Sequence, residues 1–172
     1  IVLMQVALGG WVSTNYAVLA CQGFPQCNGQ WWPAMDAAHG FTLLRELGRA
    51  GHGGYLPFEA LVAIHMAHRL FALVAVAAVL GLAWALWRGG DAAARRIALG
   101  LLALLAWQVA SGLSNVVLGW PIVAALAHSA GAAALVGLLV SLAARLAPSA
   151  APAARPVAAG SPDPARAAPS YR

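Results

Sequence analysis

The chain has 172 residues, of which 62% are hydrophobic and 9% charged, and its mean hydropathy is +0.75. A soluble domain carries roughly 25% charged residues, so this chain has too little charge to cover a water-facing surface. A soluble globular enzyme, a disordered chain and a small disulfide-framework domain are therefore excluded. The formal net charge of +5 rests on ten basic residues, all of them arginine. Because no basic run is interleaved with aromatic residues, no nucleic-acid partner is expected.

Four apolar stretches are the predicted helices. A transmembrane helix needs roughly 20 apolar residues to cross about 30 Å of hydrocarbon, and residues 59–87, 96–118 and 122–146 meet that length. A fourth stretch, 1–19, has no initiator Met, no charged flank and none of the features of a signal peptide. We expect it to be a truncated transmembrane helix, with proteolytic processing as the alternative, so that the sequence is a fragment.

The segments between the helices predict the topology. A loop rich in Gly, Pro, Trp and His is expected over 20–58, and a disordered tail over 148–172. Arginines are concentrated in the 88–96 loop and from Arg145 onward. Because cytoplasmic segments carry the excess of Lys and Arg, we expect that loop and the tail to be cytoplasmic and the 20–58 loop to be extracytoplasmic. The predicted fold class is all-α, a polytopic membrane four-helix bundle.

Two histidines inside the helices are the candidate ligands. Ionisable residues are costly in hydrocarbon and therefore indicate function. At 1.5 Å per residue, His68 lies about 15 Å, and His128 about 10 Å, from the outer end of its predicted helix. Two imidazoles at matched depth on facing helices can ligate one heme iron axially. The alternative is that each histidine is a structural group that forms hydrogen bonds between helices.

Other polar groups lie close to these histidines. His65 shares a helix face with His68, and its expected place is beside the ligand or at the rim of the cofactor. Arg69 cannot lose its charge, and it pairs either with a heme propionate or with backbone carbonyls. For the second ring nitrogen of an axial histidine, Ser129 and backbone carbonyls are the candidate acceptors. Glu59 is expected to be a solvated cap at the helix entrance.

The outer loop holds both cysteines of the chain, Cys21 and Cys27. Extracytoplasmic compartments permit disulfides, so a structural disulfide is favoured over two free thiols, and an exchange of electrons with a membrane redox site is a further role. Two cysteines exclude a four-cysteine zinc site. His39 and His52 have no regular spacing and are expected to be solvated.

A five-residue pattern occurs twice. Gln5-Val6-Ala7-Leu8-Gly9 in the first helix resembles Gln108-Val109-Ala110-Ser111-Gly112 in the third. Each copy is followed by a polar stretch with Ser and Asn, and then by a helix that contains His. Either an ancestral two-helix repeat or chance in an Ala-rich sequence explains the match.

Four separated motifs resemble, in the right order, the C-terminal half of the heme A synthase family, and the resemblance covers about residues 1–146. The motifs are Gln5 to Tyr16, Cys21 to Pro33, Ile64 to Arg69, and Asn115 to Pro121 with His128 after it.

Family members are eight-helix membrane proteins made of two similar four-helix halves, and they oxidise a methyl group of heme O to the formyl group of heme A. The resemblance implies that His68 and His128 are axial ligands of a heme b iron and that Cys21 and Cys27 form a disulfide. In the family's N-terminal half, a Glu associated with the substrate site stands three residues before the His of the His-Arg motif. Here His65 occupies that position, which favours the heme b half.

The resemblance also implies the partners and the location. They are heme O as substrate, membrane lipid, the N-terminal half of the same protein, and heme O synthase or terminal oxidase assembly factors, in a bacterial cytoplasmic membrane. The oxidoreductase activity is expected of the full-length protein. Two other functions stay open: a bis-histidine cytochrome b subunit that only transfers electrons, and a structural or transport bundle without a cofactor.

Overall fold

The protein is described by a computed structural model that covers residues 1–46, 49–50 and 54–147. The expected tail at 148–172 and His52 lie outside the described residues. Within them the chain forms helices and no strand. The helices are α1 (Val2–Thr14), α2 (Ala37–Gly40), α3 (Phe58–Gly89), α4 (Ala92–Val117) and α5 (Ile122–Leu146). The predicted all-α fold is confirmed, and α1, α3, α4 and α5 are the four helices of the bundle.

Three of these helices are long and apolar enough to cross a membrane. The most apolar windows of α3, α4 and α5 have mean hydropathies of 2.4, 1.8 and 2.0, and at most 22% of each window is buried inside the bundle. The remaining apolar surface faces outward, where lipid can cover it. The helix α1 is apolar as well, but shorter, with 13 residues. The chain is therefore a multi-pass membrane protein.

The helix α1 ends at Thr14, five residues before the end of the apolar stretch. Asn15 follows it and is buried, and its side-chain amide donates to the carbonyl of Trp11 at 2.9 Å. Tyr16 then adopts the left-handed conformation with φ 58°, and a 3₁₀ turn follows over Ala17–Leu19. Asn and Tyr thus break the helix where hydrophobicity alone predicts that it continues.

The helix α4 begins at Ala92, because Asp91 caps it by accepting a hydrogen bond from the Ala94 amide at 2.9 Å. The connection from α3 to α4 is therefore short. The connection from α4 to α5 is also tight, since Gly119 and Trp120 both have positive φ angles, 67° and 61°. Pro121 then caps α5.

The helices pack in a closed ring. Helix α1 packs against α3, α3 against α4, and α4 against α5, while α5 also touches α1. The α1/α3 pair and the α4/α5 pair therefore stand side by side, with α3 and α5 diagonally opposite. The bundle is held together by a cluster of buried side chains from α3, α4 and α5: Val79, Ala83, Ala98, Leu101, Leu105 and Leu135.

Candidate heme-ligand site

The two candidate ligands come from the diagonally opposite helices. His68 lies on α3 and His128 on α5, and both residues are partly buried. His68 faces α1 at Gly9 and His128 faces α4 at Gly112. The two histidines therefore come from helices that are not adjacent in the bundle, and their pairing on one heme stays a prediction.

Helix α1 supplies the surroundings of His68. The Gln5 amide nitrogen donates to the His68 backbone carbonyl at 3.2 Å and lies 3.1 Å from ring Nδ1 and 3.4 Å from ring Nε2. One turn later is Gly9, where a Cβ would lie 3.1 Å from the His68 Cε1. Because the Gln5 nitrogen is near both ring nitrogens, it does not select one of them.

Helix α4 supplies the surroundings of His128 in the same way. The Gln108 amide nitrogen donates to the His128 backbone carbonyl at 2.9 Å. A Cβ at Gly112 would lie 3.1 Å from the His128 Cε1. The two glutamines and the two glycines are equivalent positions of the repeated pentapeptide, so each copy contacts one histidine.

The Ser111 hydroxyl lies at hydrogen-bond distance from the ring of His128. This hydroxyl donates to the Trp107 carbonyl at 2.7 Å, which leaves an oxygen lone pair for the His128 Nδ1, 3.1 Å away. With its proton on Nδ1, the imidazole has an unprotonated Nε2, the form that ligates a metal. For Ser129, the other candidate acceptor, the described hydrogen bond is to the Ala125 carbonyl of its own helix at 3.0 Å, and no contact with a histidine ring is described.

A small residue on α5 allows the close contact with α4. A Cβ at Gly131 would overlap the Gln108 amide and the Trp107 indole. The Trp107 indole nitrogen donates to the Ala127 carbonyl at 2.8 Å. Glycine at this position therefore lets two polar side chains of α4 reach the backbone of α5 beside His128.

His65 is buried with 6% of its surface exposed, and its Nδ1 lies 2.9 Å from the Ala17 carbonyl. This contact joins α3 to the 3₁₀ turn that follows α1. A role beside the cofactor stays a prediction, because the described contact is with the backbone.

Arg69 pairs with backbone carbonyls, one of the two alternatives for this residue. Its guanidinium donates to the carbonyls of Cys21 at 2.6 Å, Gly23 at 3.0 Å and Gln26 at 3.3 Å. Its Nε is buried without a hydrogen-bond partner. The residue that follows His68 therefore holds the loop from Cys21 to Cys27, the cysteine loop, against α3.

The cysteine loop itself is compact. The sulfur atoms of Cys21 and Cys27 lie at bonding distance, 2.08 Å, and each residue is only 1% exposed. The Cys21 sulfur is 3.6 Å from the thioether sulfur of Met66, and the Asn28 amide donates to the Ala20 carbonyl at 2.8 Å. The loop thus packs on the same helix that carries His65 and His68.

The remaining polar residues of the outer loop lie away from the two ligands. His39 and Asp36 form an exposed pair, with Nδ1 and Oδ2 2.6 Å apart. The His39 backbone amide and imidazole donate to the Asp36 carboxylate and lower its pKa below the usual 3.8. Glu59 lies exposed in the first turn of α3, so it is solvated as expected, but Pro57 occupies the N-cap position and no side-chain hydrogen bond caps the helix.

The donor set at the centre of the bundle fits a heme. Among the described residues no group of three or more His, Cys, Asp and Glu side chains is placed to hold a metal ion. A porphyrin brings four nitrogens of its own and needs only two axial ligands, which His68 and His128 can supply. The buried Oε1 of Gln5 and Nε of Arg69 have no hydrogen-bond partner in the protein, so each atom is still available for a hydrogen bond.

Comparisons with known proteins identify the family. Residues 1–140 match the family described as cytochrome oxidase assembly protein. The chain belongs to this family. It is 37% identical over 136 residues to the heme A synthase of Shewanella oneidensis, covering 79% of this chain and 41% of that protein. It is 34% identical over 137 residues to the heme A synthase of Methylobacterium radiotolerans, covering 79% and 35%.

The heme A synthase of Methylobacterium nodulans is 31% identical over 140 residues, covering 80% of this chain and 36% of that protein. The chain thus spans less than half the length of the curated relatives it matches. No solved structure matches it significantly.

Sequence reasoning did not find the side chains that hold the two rings. Gln5, Gly9, Gln108 and Gly112 stand in the repeated pentapeptide, which is the signal that points to them. Ser111 is the one polar difference between the two copies, where the first has Leu8. The repeat shows that these positions are equivalent, but only the helix packing shows that they face histidines.

Proposed function

We propose that the chain is the heme b-binding half of a heme A synthase in a bacterial cytoplasmic membrane. As an oxidoreductase, the complete protein would convert the methyl group of heme O to the formyl group of heme A for terminal oxidase assembly. The matching contacts of two histidines, His68 with Gln5 and Gly9 and His128 with Gln108 and Gly112, carry this proposal. The relatives named heme A synthase support it. The N-terminal half would supply the substrate site.

In this proposal His68 and His128 would hold the heme iron. The Ser111 hydroxyl keeps the His128 proton on Nδ1, so that Nε2 is available to the metal. A bound heme b supplies one-electron redox chemistry. With two histidines as its protein ligands, the heme would supply electron transfer, so this half would transfer electrons while oxidation of heme O would take place elsewhere.

Cys21 and Cys27 would form a disulfide that closes the outer loop. Arg69 holds that loop against α3 through three carbonyls, next to His68. This arrangement keeps the extracytoplasmic end of the bundle covered. Heme O, membrane lipid, the N-terminal half, and heme O synthase or terminal oxidase assembly factors are the proposed partners.

A bis-histidine cytochrome b subunit is the second candidate function. The observation that favours it is the same pair of similarly held histidines, because two protein ligands on a heme iron would suit electron transfer without substrate chemistry. The two candidates differ only at the level of the complete protein, because heme A synthase makes heme A and a cytochrome b subunit does not.

The test is the visible spectrum of the complete protein, purified from membranes, beside its His68→Ala and His128→Ala variants. We expect a six-coordinate low-spin heme in the wild type and its loss or conversion to a five-coordinate form in both variants. His39→Ala is the matched control, because this histidine is exposed in the outer loop, and its spectrum should equal that of the wild type.

A spectrum unchanged in both ligand variants would overturn the ligand assignment, and a wild type without heme would favour the cofactor-free bundle. Pigment extraction from cells that also express heme O synthase separates the two heme functions. Heme A should accumulate with the wild type, whereas accumulation of heme O alone would favour the cytochrome b subunit.

A further inference from the structure

The two copies of the pentapeptide make the same contacts with two different histidines. On α1, a Cβ at Gly9 would lie 3.1, 3.6 and 3.9 Å from Cε1, Nδ1 and Nε2 of His68. On α4, a Cβ at Gly112 would lie 3.1, 3.5 and 3.9 Å from the same three atoms of His128. Two unrelated contacts would not agree to about 0.1 Å at every atom, so the match is a repeated structural unit.

The glutamines complete each unit. Gln5 lies one helical turn before Gly9, and Gln108 one turn before Gly112, so each pair lies on one helix face. Both amide nitrogens donate to the backbone carbonyl of the histidine, at 3.2 Å from Gln5 and 2.9 Å from Gln108. This contact fixes the height of the histidine relative to the neighbouring helix that carries the glutamine. The glycine fixes how closely the imidazole ring approaches that neighbouring helix.

We propose that each Gln-x-x-x-Gly segment is a histidine cradle. In each cradle the glutamine sets the height of the histidine along the helix axis relative to the neighbouring helix, and the glycine sets the plane of the imidazole ring. The proposal rests on the proposed function, because it assigns positioning residues to a heme held by His68 and His128. The cradle residues do not touch the iron. They act through His68 and His128, because the plane of each imidazole ring determines the direction in which its nitrogen points.

The glycine is needed because the imidazole edge occupies the space of a side chain. At 3.1 Å the added methyl group of alanine would be closer to Cε1 than nine in ten real Cβ contacts, so the ring must move by a few tenths of an ångström. A rigid ring packed against its own helix can move only by rotating, and the rotation tilts the ligand. The ring nitrogen that would hold the heme iron then points in a different direction.

The test introduces a methyl group at each cradle in the complete, heme-loaded protein. Gly9→Ala and Gly112→Ala should shift the low-spin electron paramagnetic resonance signal and weaken heme retention by about 10- to 100-fold, the usual effect of removing a group that orients a metal ligand. Gly10→Ala on α1 is the matched control for Gly9→Ala. Gly137→Ala on α5 is the control for Gly112→Ala, and at both control positions an added Cβ meets nothing within 4 Å.

A second pair of variants removes the glutamine contact without adding bulk. Gln5→Met and Gln108→Met keep the side-chain length and the helix, and each should weaken heme retention with thermal stability of the apoprotein within the range of the two glycine controls. A general packing role would lower that stability and leave the resonance signal unchanged.

The outcomes separate this proposal from the proposed function. Cradle variants that match the glycine controls, in a wild type with a bis-histidine spectrum that His68→Ala abolishes, would overturn the cradle and leave the proposed function standing. A wild type without a bis-histidine spectrum would overturn both. Shifted signals in Gly9→Ala and Gly112→Ala, with unchanged signals in the controls, support the cradle.

Discussion

The α1/α3 unit and the α4/α5 unit place their histidines alike but join their helices differently. A long segment with the cysteine loop and the short helix α2 connects α1 to α3, whereas a tight turn at Gly119 and Trp120 connects α4 to α5. Both units nevertheless hold a histidine by a glutamine and a glycine of the preceding helix. The position of the histidine is therefore set by the pair of helices, and it does not depend on the length of the segment that connects them.

The units also differ in how the ring nitrogens are satisfied. Ser111 presents a hydroxyl to Nδ1 of His128, while the equivalent position of the first unit is Leu8, and the Gln5 nitrogen lies near both ring nitrogens of His68. One unit thus presents a dedicated hydroxyl to a ring nitrogen, whereas in the other the described side-chain contact with the ring nitrogens is that of the glutamine. Substitutions at matched positions should affect the two units unequally.

The largest effect is expected for Arg69→Met, which removes the three hydrogen bonds that hold the cysteine loop in the first unit. Hydrogen bonds to a charged group contribute about 1.5–3 kcal/mol each, and since this arginine is partly exposed and the bonds are not additive, we expect a loss of about 3 kcal/mol in all. Thermal unfolding in detergent and the rate of thiol labelling at Cys21 and Cys27 under mild reductant measure it.

The control for the arginine variant is Arg96→Met, because Arg96 is exposed on α4. It should unfold at the wild-type temperature and label at the wild-type rate. Equal labelling rates in Arg69→Met and Arg96→Met would show that the loop is held by its own packing, and the long connection would then be independent of α3.

A smaller effect is expected from exchanging the two glutamines in turn. Gln5→Met should weaken heme retention by about 10- to 100-fold, because Gln5 contacts both the backbone carbonyl and the ring of His68. Gln108→Met should cost less, since Ser111 still holds the His128 ring. Heme transfer to apomyoglobin from each purified variant gives the two rates.

The inequality between the glutamines has its own check. Adding Ser111→Ala to Gln108→Met removes the remaining ring contact of the second unit, and its heme loss should then rise to the level of Gln5→Met. A rate that stays at that of Gln108→Met alone would contradict the role given to the hydroxyl.

Ser111→Ala alone should have a still smaller effect, about tenfold on heme retention, together with a change in the midpoint potential. The alanine leaves Nδ1 of His128 without its acceptor, and Ser111→Thr, which keeps the hydroxyl, should restore the wild-type potential. Leu8→Ser is the reciprocal change, and it should leave the potential nearly unaltered because Gln5 already lies at the His68 ring. Redox titration followed in the visible spectrum distinguishes the variants.

Much of the fold could be predicted from hydrophobicity, because α3, α4 and α5 are long and uninterrupted and their apolar length decides their structure. The end of α1 could not, since it depends on Asn15 turning back to cap Trp11 and on the positive φ of Tyr16. Side-chain chemistry of that kind is local, and it acts within a segment that is apolar throughout.

The site was predictable in part for a similar reason. Depth along a helix follows from residue number, so His68 and His128 could be paired from sequence alone. Their partners could not, because a contact such as Ser111 with His128 depends on how α4 and α5 face each other. The sequence neighbour Ser129 bonds its own helix instead.

The smallest expected effect concerns pH and lies only in the long connection of the first unit. His39 donates from its backbone amide and its imidazole to Asp36, and the pKa of that carboxyl is lowered below 3.8. A carboxyl with a lowered pKa stabilises the folded state above the unfolded pKa, and the contribution disappears as the pH falls through the folded value. Asp36→Asn should therefore unfold slightly below the wild-type temperature at pH 7, and the gap should close as the pH falls below 3.8. Repeating the comparison in a His39→Ala background isolates the contact: if the pH-dependent gap persists there undiminished, another partner of Asp36 is responsible, and the pH sensitivity of the first unit does not come from this pair.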